Sequence, residues 1–261
     1  QTRPVSVDRW ILYLTIDNSG ILGFPMQIGT TIVVSFVLFG QLLNSSRGAE
    51  FFNDLSVVVM GRYRGGSAKI SVSASSLFGS ISGIVVSNIV STGVITIPMM
   101  RRLGYRPELA AGIEVAASTN GQLMPPIMGA GAFIMAEITG IPYTEIAIAA
   151  IIPAILYFAS VYFMVDFEAA KTGMRGMRKD EIPLFSKLVK QVYLFAPIII
   201  LIVALFMGYS VIRAGTLATA SAAVVSWLSP NKMGLRAILR ALQLAGTMSI
   251  QIIAVCACAG L

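Results

Sequence analysis

Histidine is absent from all 261 residues. That excludes histidine-ligated metal sites, Ser-His-Asp triads and histidine proton relays from this chain. Cysteine is nearly absent. Cys256 and Cys258 are the only two, they lie in one apolar stretch, and a disulfide between them would be badly strained. They read as small buried hydrophobes. Charge is scarce too, at 12% of residues, against roughly 25% in a soluble domain. No signal peptide is recognisable at the start. Gln1 is not an initiator and Leu261 falls inside an apolar stretch, so the expectation is a piece of a longer protein.

Apolar residues, by contrast, make up 56% of the chain. They come in long runs, at 24–43, 142–165, 191–207 and 211–228. A bilayer span needs about 20 such residues, so the reading is an all-α polytopic membrane protein.

Lys and Arg accumulate in cytoplasmic loops. The loops at 17–20, 140–142 and 208–210 are short and nearly uncharged. Four stretches are basic. The first holds Arg47, Arg62, Arg64 and Lys69; the second Arg101, Arg102 and Arg106; the third, 171–190, six basic residues; the fourth Lys232, Arg236 and Arg240. If 70–100 enters the membrane and returns, all four lie on one side, with 16 of the 19 Lys and Arg residues. A single crossing would split them. The net charge of +7 is therefore topological rather than a nucleic-acid footprint.

The composition of 70–100 agrees. It is rich in Ser, Gly and Thr, and Gly79-Ser80-Ile81-Ser82-Gly83 followed by Ser87-Asn88 is poor helix material. A re-entrant helical hairpin fits, its tip lining a cavity, because irregular backbone at membrane depth is tolerated only there or inside protein. A Gly/Ser-rich packing helix is the plainer alternative. A second interruption is Ser118-Thr119-Asn120-Gly121-Gln122-Leu123-Met124-Pro125-Pro126, inside the apolar span 107–139. Consecutive prolines remove donors and disfavour helix before them. The expectation is a discontinuous transmembrane helix that runs to about Ala117, unwinds, and restarts near Pro126. A simple Pro kink is the alternative.

Broken elements present free backbone groups at mid-membrane, where ions and anionic solutes are held. Ser, Thr and Asn oxygens suit a hard monovalent cation, and no dense carboxylate cluster suggests a divalent one. Glu114 lies one turn before the break, and intramembrane carboxylates are costly and often functional. It is a candidate for neutralising a cation, carrying a proton, or making a structural hydrogen bond. Glu137 reads as interfacial and Arg213 as a snorkelling anchor. The segments 48–61 and 233–246 are both amphipathic and each precedes an apolar, small-residue stretch. This faint repeat leaves open whether 247–261 is a hairpin arm or part of a spanning helix.

The run RGGSAKISVSASSLFGSISGIVVSNIVSTGVITIPMMRRLGY and then AAGIEVAASTNGQLMPPIMGAGAFIMAEITGIPY resembles the large membrane subunit of tripartite ATP-independent periplasmic (TRAP) transporters. The likeness is closest to the form fused to the small membrane subunit, over about 20–261. It implies an ion-transporter-like fold of which this chain is the first half of an inverted repeat. It also implies uptake of an organic acid or similar solute driven by an ion gradient, usually Na⁺, with H⁺ the other option. A periplasmic solute-binding protein and the small membrane subunit are the implied partners, and a bacterial or archaeal cytoplasmic membrane the location. The transport domain is expected to move like an elevator against a scaffold.

By matching motif, the ion-binding tip is Ser82, Gly83, Ser87, Asn88 and Thr92, and the unwound loop contributes Ser118, Thr119, Asn120 and Gly121. Asn120, Pro125 and Pro126 are the solute-contacting candidates. Ile84 stands where the family tip commonly has a serine, and Asn120-Gly121 where it has Gly-Gly. The implied division is scaffold at 1–66, the first half of the transport domain at 67–140, and scaffold helices with a basic loop (167–190) at 141–232. The start of a second repeat follows at 233–261. A channel is the competing class, though neither a pore-lining repeat nor a charged ring is visible. An intramembrane enzyme lacks a nucleophile–base or metal constellation.

Overall fold

The computed structural model describes residues 6–17, 20–177, 182, 188, 191–228 and 234–259. Among these every regular element is helical. Arg178, Lys179, Lys187, Lys190 and Lys232 of the basic stretches, and Asn18 and Ser19 of the first loop, lie outside them.

After α1 (Val7–Ile16), α2 (Phe24–Ile28), a π-helical turn (Gly29–Val33) and α3 (Val34–Ser45) make one continuous rod. The Thr30 and Thr31 hydroxyls donate to the Gln27 carbonyl at 3.1 and 2.6 Å where the winding widens. Next come α4 (Gly48–Met60), α5 (Gly66–Ser82), α6 (Val85–Arg102), α7 (Pro107–Asn120), α8 (Ala130–Thr139) and α9 (Tyr143–Lys171). A 3₁₀ turn (Val192–Phe195) leads into α10 (Ala196–Phe206), then α11 (Val211–Leu228) and α12 (Leu235–Ala259). Among the described residues three helices are long and apolar enough to cross a membrane: Phe24–Ser45, Tyr143–Lys171 and Arg236–Cys258.

Two groups of helices pack together. In one, α5, α6 and α7 form a three-helix wedge flanked by α4 and α9. Its core is small, with Ala68, Val72, Met100, Ala110, Ala117 and Val165 allowing close approach. In the other, α3 packs on α11 and α12, and α10 on α11, through Phe36, Phe39, Leu43, Leu201 and Ala218. An aromatic stack joins the two. Phe133 of α8 lies 5.1 Å from Phe36 and 4.6 Å from Tyr143, centroid to centroid, with nearly parallel rings.

The hairpin returns to the end it left. Gly65 precedes α5, Tyr105 follows α6, and a Cβ on Gly65 would meet the Tyr105 hydroxyl at 2.9 Å and Ala169 of α9 at 2.5 Å. Arg64 and Lys69 both bind Asp166 of α9 at this end, at 2.5 and 2.6 Å. The buried Lys69 ammonium also sits 4.7 Å over the Tyr162 ring. The flanks of 70–100 thus lie together.

Three expectations are corrected, and one open alternative is narrowed. The tip is tighter than 79–88: only Gly83 and Ile84 leave helical geometry, because Gly83 adopts φ +63° and closes α5 through its N–H to the Gly79 carbonyl. Helix α7 runs on to Asn120 rather than Ala117, held by its side-chain bond to α5. The chain re-enters helix at Ala130 rather than Pro126, since Met128 takes φ +58°. Of the two alternatives left open for 247–261, the described residues favour the longer helix: 235–259 are continuous, Ala241 packs on Leu42, and Gly29 admits Cys256.

The topology expected from the charge pattern predicts opposite accessibility for the α6–α7 turn and the α8–α9 loop. In a cysteine-free full-length protein in sealed inverted vesicles, Arg102→Cys should react with an impermeant maleimide. Ile141→Cys should react only after the vesicles are permeabilised.

Candidate functional site

The site begins with two glycines. Gly79 of α5 and Gly121, just past α7, touch backbone to backbone. A Cβ on Gly79 would lie 2.7 Å from the Gly121 Cα, and one on Gly121 would lie 2.5 Å from the Gly79 Cα. This crossing seats the irregular segment 121–129 on the hairpin tip. There Ile127 N–H donates to the Ser80 carbonyl at 3.1 Å, and a Cβ on Gly83 would collide with the Met128 carbonyl oxygen. Pro125 and Pro126 are joined by a cis bond. The Tyr143 hydroxyl, at the start of α9, contacts the Pro126 and Ile127 carbonyl oxygens.

Asparagines lock the crossing. Asn88 is fully buried and its Nδ2 donates to the Ser75 carbonyl at 2.7 Å. Asn120 Nδ2 donates to Ser76 Oγ at 3.0 Å. Two buried oxygens here have no protein partner: Asn120 Oδ1 and Ser82 Oγ. A buried polar atom without a partner is expensive, so oxygens of this kind are natural ligands for an ion or water. Ser82 and Gly83 also line a cavity of about 400 Å³ shared with Gln122, Met128, Gln251 and Cys256.

Beneath the tip lies Glu114, at 0% exposure. Its Oε1 lies 2.5 Å from Thr92 Oγ1, 2.7 Å from Ser75 Oγ and 3.4 Å from Ser118 Oγ. Its Oε2 lies 2.5 Å from Thr96 Oγ1 and 2.6 Å from Ser71 Oγ. The spacing explains the convergence. Ser71 and Ser75 are one turn apart on α5, Thr92 and Thr96 one turn apart on α6, and Glu114 and Ser118 one turn apart on α7. Each helix presents one oxygen-bearing stripe to the same point.

The candidates named from sequence separate into three groups. Asn88, Asn120 and Gly121 meet at the crossing, and Ser82 and Gly83 lie at the tip, where Gly83 abuts Met128. Thr92 and Ser118 belong to the Glu114 cage one layer deeper. Ser87 faces α3 instead, accepting from Gln41 Nε2 at 3.3 Å. Thr119 spends its hydroxyl on the Val115 carbonyl, and Pro125 and Pro126 line a different, apolar cavity with Tyr143, Leu205 and Phe206. Ser71, Ser75, Ser76 and Thr96 were not singled out from sequence. The matched i, i+4 hydroxyl pairs on either arm of the hairpin are the signal that could have found them. Among the described residues no group of three or more Cys, Asp or Glu side chains is placed to hold a metal ion.

Because the crossing has no room for a methyl group, Gly121→Ala should lower the melting temperature of the full-length protein by about 1–3 °C. That corresponds to roughly 1–3 kcal/mol of overpacking. An unchanged melt would mean that the segment 121–129 does not rest on the hairpin.

The comparisons with known proteins bear on the whole chain. Residues 11–261 match the family model described as tripartite ATP-independent periplasmic transporter, DctM component. A sialic acid TRAP transporter large permease protein of Vibrio cholerae is 27% identical over 188 residues, 71% of this chain and 42% of its own length. A sialic acid TRAP transporter permease protein of Haemophilus influenzae is 26% identical over 162 residues, 62% of this chain and 24% of its own. A C4-dicarboxylate TRAP transporter large permease protein of Vibrio cholerae is 34% identical over 98 residues, 37% and 22% respectively. The chain spans less than half the length of each of these relatives. With its apolar helices, hairpin and broken element, the chain belongs to the DctM large-permease family of TRAP transporters, multi-pass membrane proteins that transport rather than catalyse.

Proposed function

We propose that this chain forms half of the translocation core of a Na⁺-coupled symporter in the bacterial cytoplasmic membrane. The solute is a small organic acid delivered by a periplasmic binding protein, and the small membrane subunit completes the permease. The observation that carries this reading is the crossing of the hairpin tip with the interrupted helix. It holds two buried, uncharged oxygens that have no partner among the described residues, Asn120 Oδ1 behind the crossing and Ser82 Oγ beside a cavity. Neutral oxygens fit a monovalent cation better than a divalent one. The printed names of relatives, for sialic acid, C4-dicarboxylates and 2,3-diketo-L-gulonate, support an acidic solute.

The hairpin enters the membrane and returns, so that its tip and the interrupted helix lie near mid-membrane, where a cation and a solute are shielded from bulk water. Alternating access is supported by the packing. The wedge α5–α6–α7 is tied internally by polar bonds, while its contacts with α3 are few and weakly polar, such as Gln41 to Ser87 and Asn44 Nδ2 to Ser91 Oγ at 3.2 Å. The wedge is bound firmly to α4 and α9, through Lys69 and Asp166 among others, so the sparse boundary toward α3 is the one suited to sliding in an elevator-like step.

The test is uptake by the full-length transporter in liposomes with its binding protein, driven by an inward Na⁺ gradient or by a proton gradient. Na⁺ should drive uptake, and Asn88→Ala should raise the Na⁺ concentration for half-maximal rate about tenfold or more. Uptake driven by protons alone, and indifferent to Asn88→Ala, would overturn the reading.

A further inference from the structure

The Glu114 carboxylate is surrounded by hydroxyl groups, and among the described residues it has no cationic partner. A carboxylate accepts about four hydrogen bonds, and five hydroxyls from three helices stand around its two oxygens. Such a cage satisfies the group's hydrogen-bonding capacity without neutralising it. The buried cation nearest in sequence on α5, Lys69, is 4% exposed and committed to Asp166. None of the ion pairs found among the described residues involves Glu114. A buried charge without a partner is costly, so the fold retains at this point an electrostatic demand that its own side chains do not meet.

One hydroxyl connects that demand to the crossing. Thr92 Oγ1 lies 2.5 Å from Glu114 Oε1 and 3.4 Å from Asn88 Oδ1. Asn88 is in turn packed against Gly79, the contact residue of Gly121. Ser118, which approaches the carboxylate from its own helix, is two residues before Asn120, whose Oδ1 is buried and unpartnered. Glu114 thus stands one layer behind the oxygens that would face an ion, without being one of them.

We propose that Glu114 is the fixed counter-charge for the coupling cation, a positioning residue that sets cation affinity at the crossing through Thr92 and Asn88 rather than by direct ligation. The idea rests on the cation-coupled reading above. It adds that the neutral ligands alone bind weakly, and that much of the attraction comes from a charge held out of reach. A unit charge within about 10 Å at an effective dielectric near 20 changes an affinity on the order of tenfold.

The experiment uses the purified full-length transporter in detergent, with no solute and no transport. Its melting temperature is followed as NaCl replaces choline chloride at constant ionic strength, so that the midpoint of the rise reports Na⁺ binding. Glu114→Gln, which keeps shape and removes charge, should shift the Na⁺ midpoint at least tenfold upward. Ser71→Ala, which removes one donor to the distant Oε2 and keeps the charge, should lower the melting temperature yet leave the midpoint within about threefold.

If Glu114→Gln does not fold, Thr92→Val provides the second arm. It breaks the hydroxyl link at nearly constant volume and should raise the midpoint at least threefold. A wild-type melt insensitive to Na⁺ would sink the cation reading itself. A sensitive wild type with an unshifted midpoint in Glu114→Gln, or in Thr92→Val where the first variant is lost, would leave the reading standing and overturn the role of Glu114.

Discussion

A carboxylate at 0% exposure in an apolar bundle must have its hydrogen bonds met from within, and meeting them fixes much else. Ser71 and Ser75 hold α5 in register, Thr92 and Thr96 hold α6, and Glu114 itself holds α7. A slip of one residue along any of the three helices would swing its oxygens about 100° away from the carboxylate. The hairpin and the helix behind it are therefore one body, set by a polar layer rather than by apolar packing alone. Charge-assisted hydrogen bonds are roughly twice as strong as neutral ones, which suits a layer that must keep its geometry without large side chains.

The small residues follow from the same constraint. Five hydroxyls reach one carboxylate only if three helix axes run close together, which the alanines at 68, 110 and 117 and Gly93 permit. Further along, the axes cross at Gly79 and Gly121, where two backbones touch. Beyond that point the chain has no further helical path through the hairpin. It unwinds over 121–129, lies across the tip, and resumes at Ala130 with Phe133 entering the aromatic stack. Rigid layer, glycine crossing and irregular segment form a sequence of consequences along one axis. Ser82 Oγ, without a partner among the described residues, stands where that axis reaches the cavity.

Much of this was legible in the chain. Gly and Ser at 79–83 marked the hairpin turn, Pro125-Pro126 marked the interruption, and the Arg and Lys clusters placed the two hairpin flanks together. Less legible were the limits of each element. Asn120 reads as a turn former, but its bond to Ser76 keeps it helical. Pro126 reads as a helix start, but Met128 at φ +58° postpones the start to Ala130. The stretch 247–258 resembles a hairpin arm in composition, yet continues the helix begun at Leu235, because its small residues serve contact with Gly29 and its surroundings. The Glu114 cage was half visible. The acid stood out, but its hydroxyl partners come from three segments up to 47 residues apart in the chain, and only the fold makes them neighbours. Local spacing reveals a stripe on one helix; it does not reveal that three stripes share a target.

On the proposed reading, a stiff layer around Glu114, ordered without the cation, supports a tip whose order depends on the cation. Hydrogen–deuterium exchange on the full-length transporter, with and without Na⁺, tests it most directly. The account predicts slow exchange at 71–76, 92–96 and 113–118 in both conditions. It predicts faster exchange at 83–86 and 121–129 that slows when Na⁺ is added. Exchange around Glu114 as fast as at the tip, or slowing only with Na⁺, would contradict it.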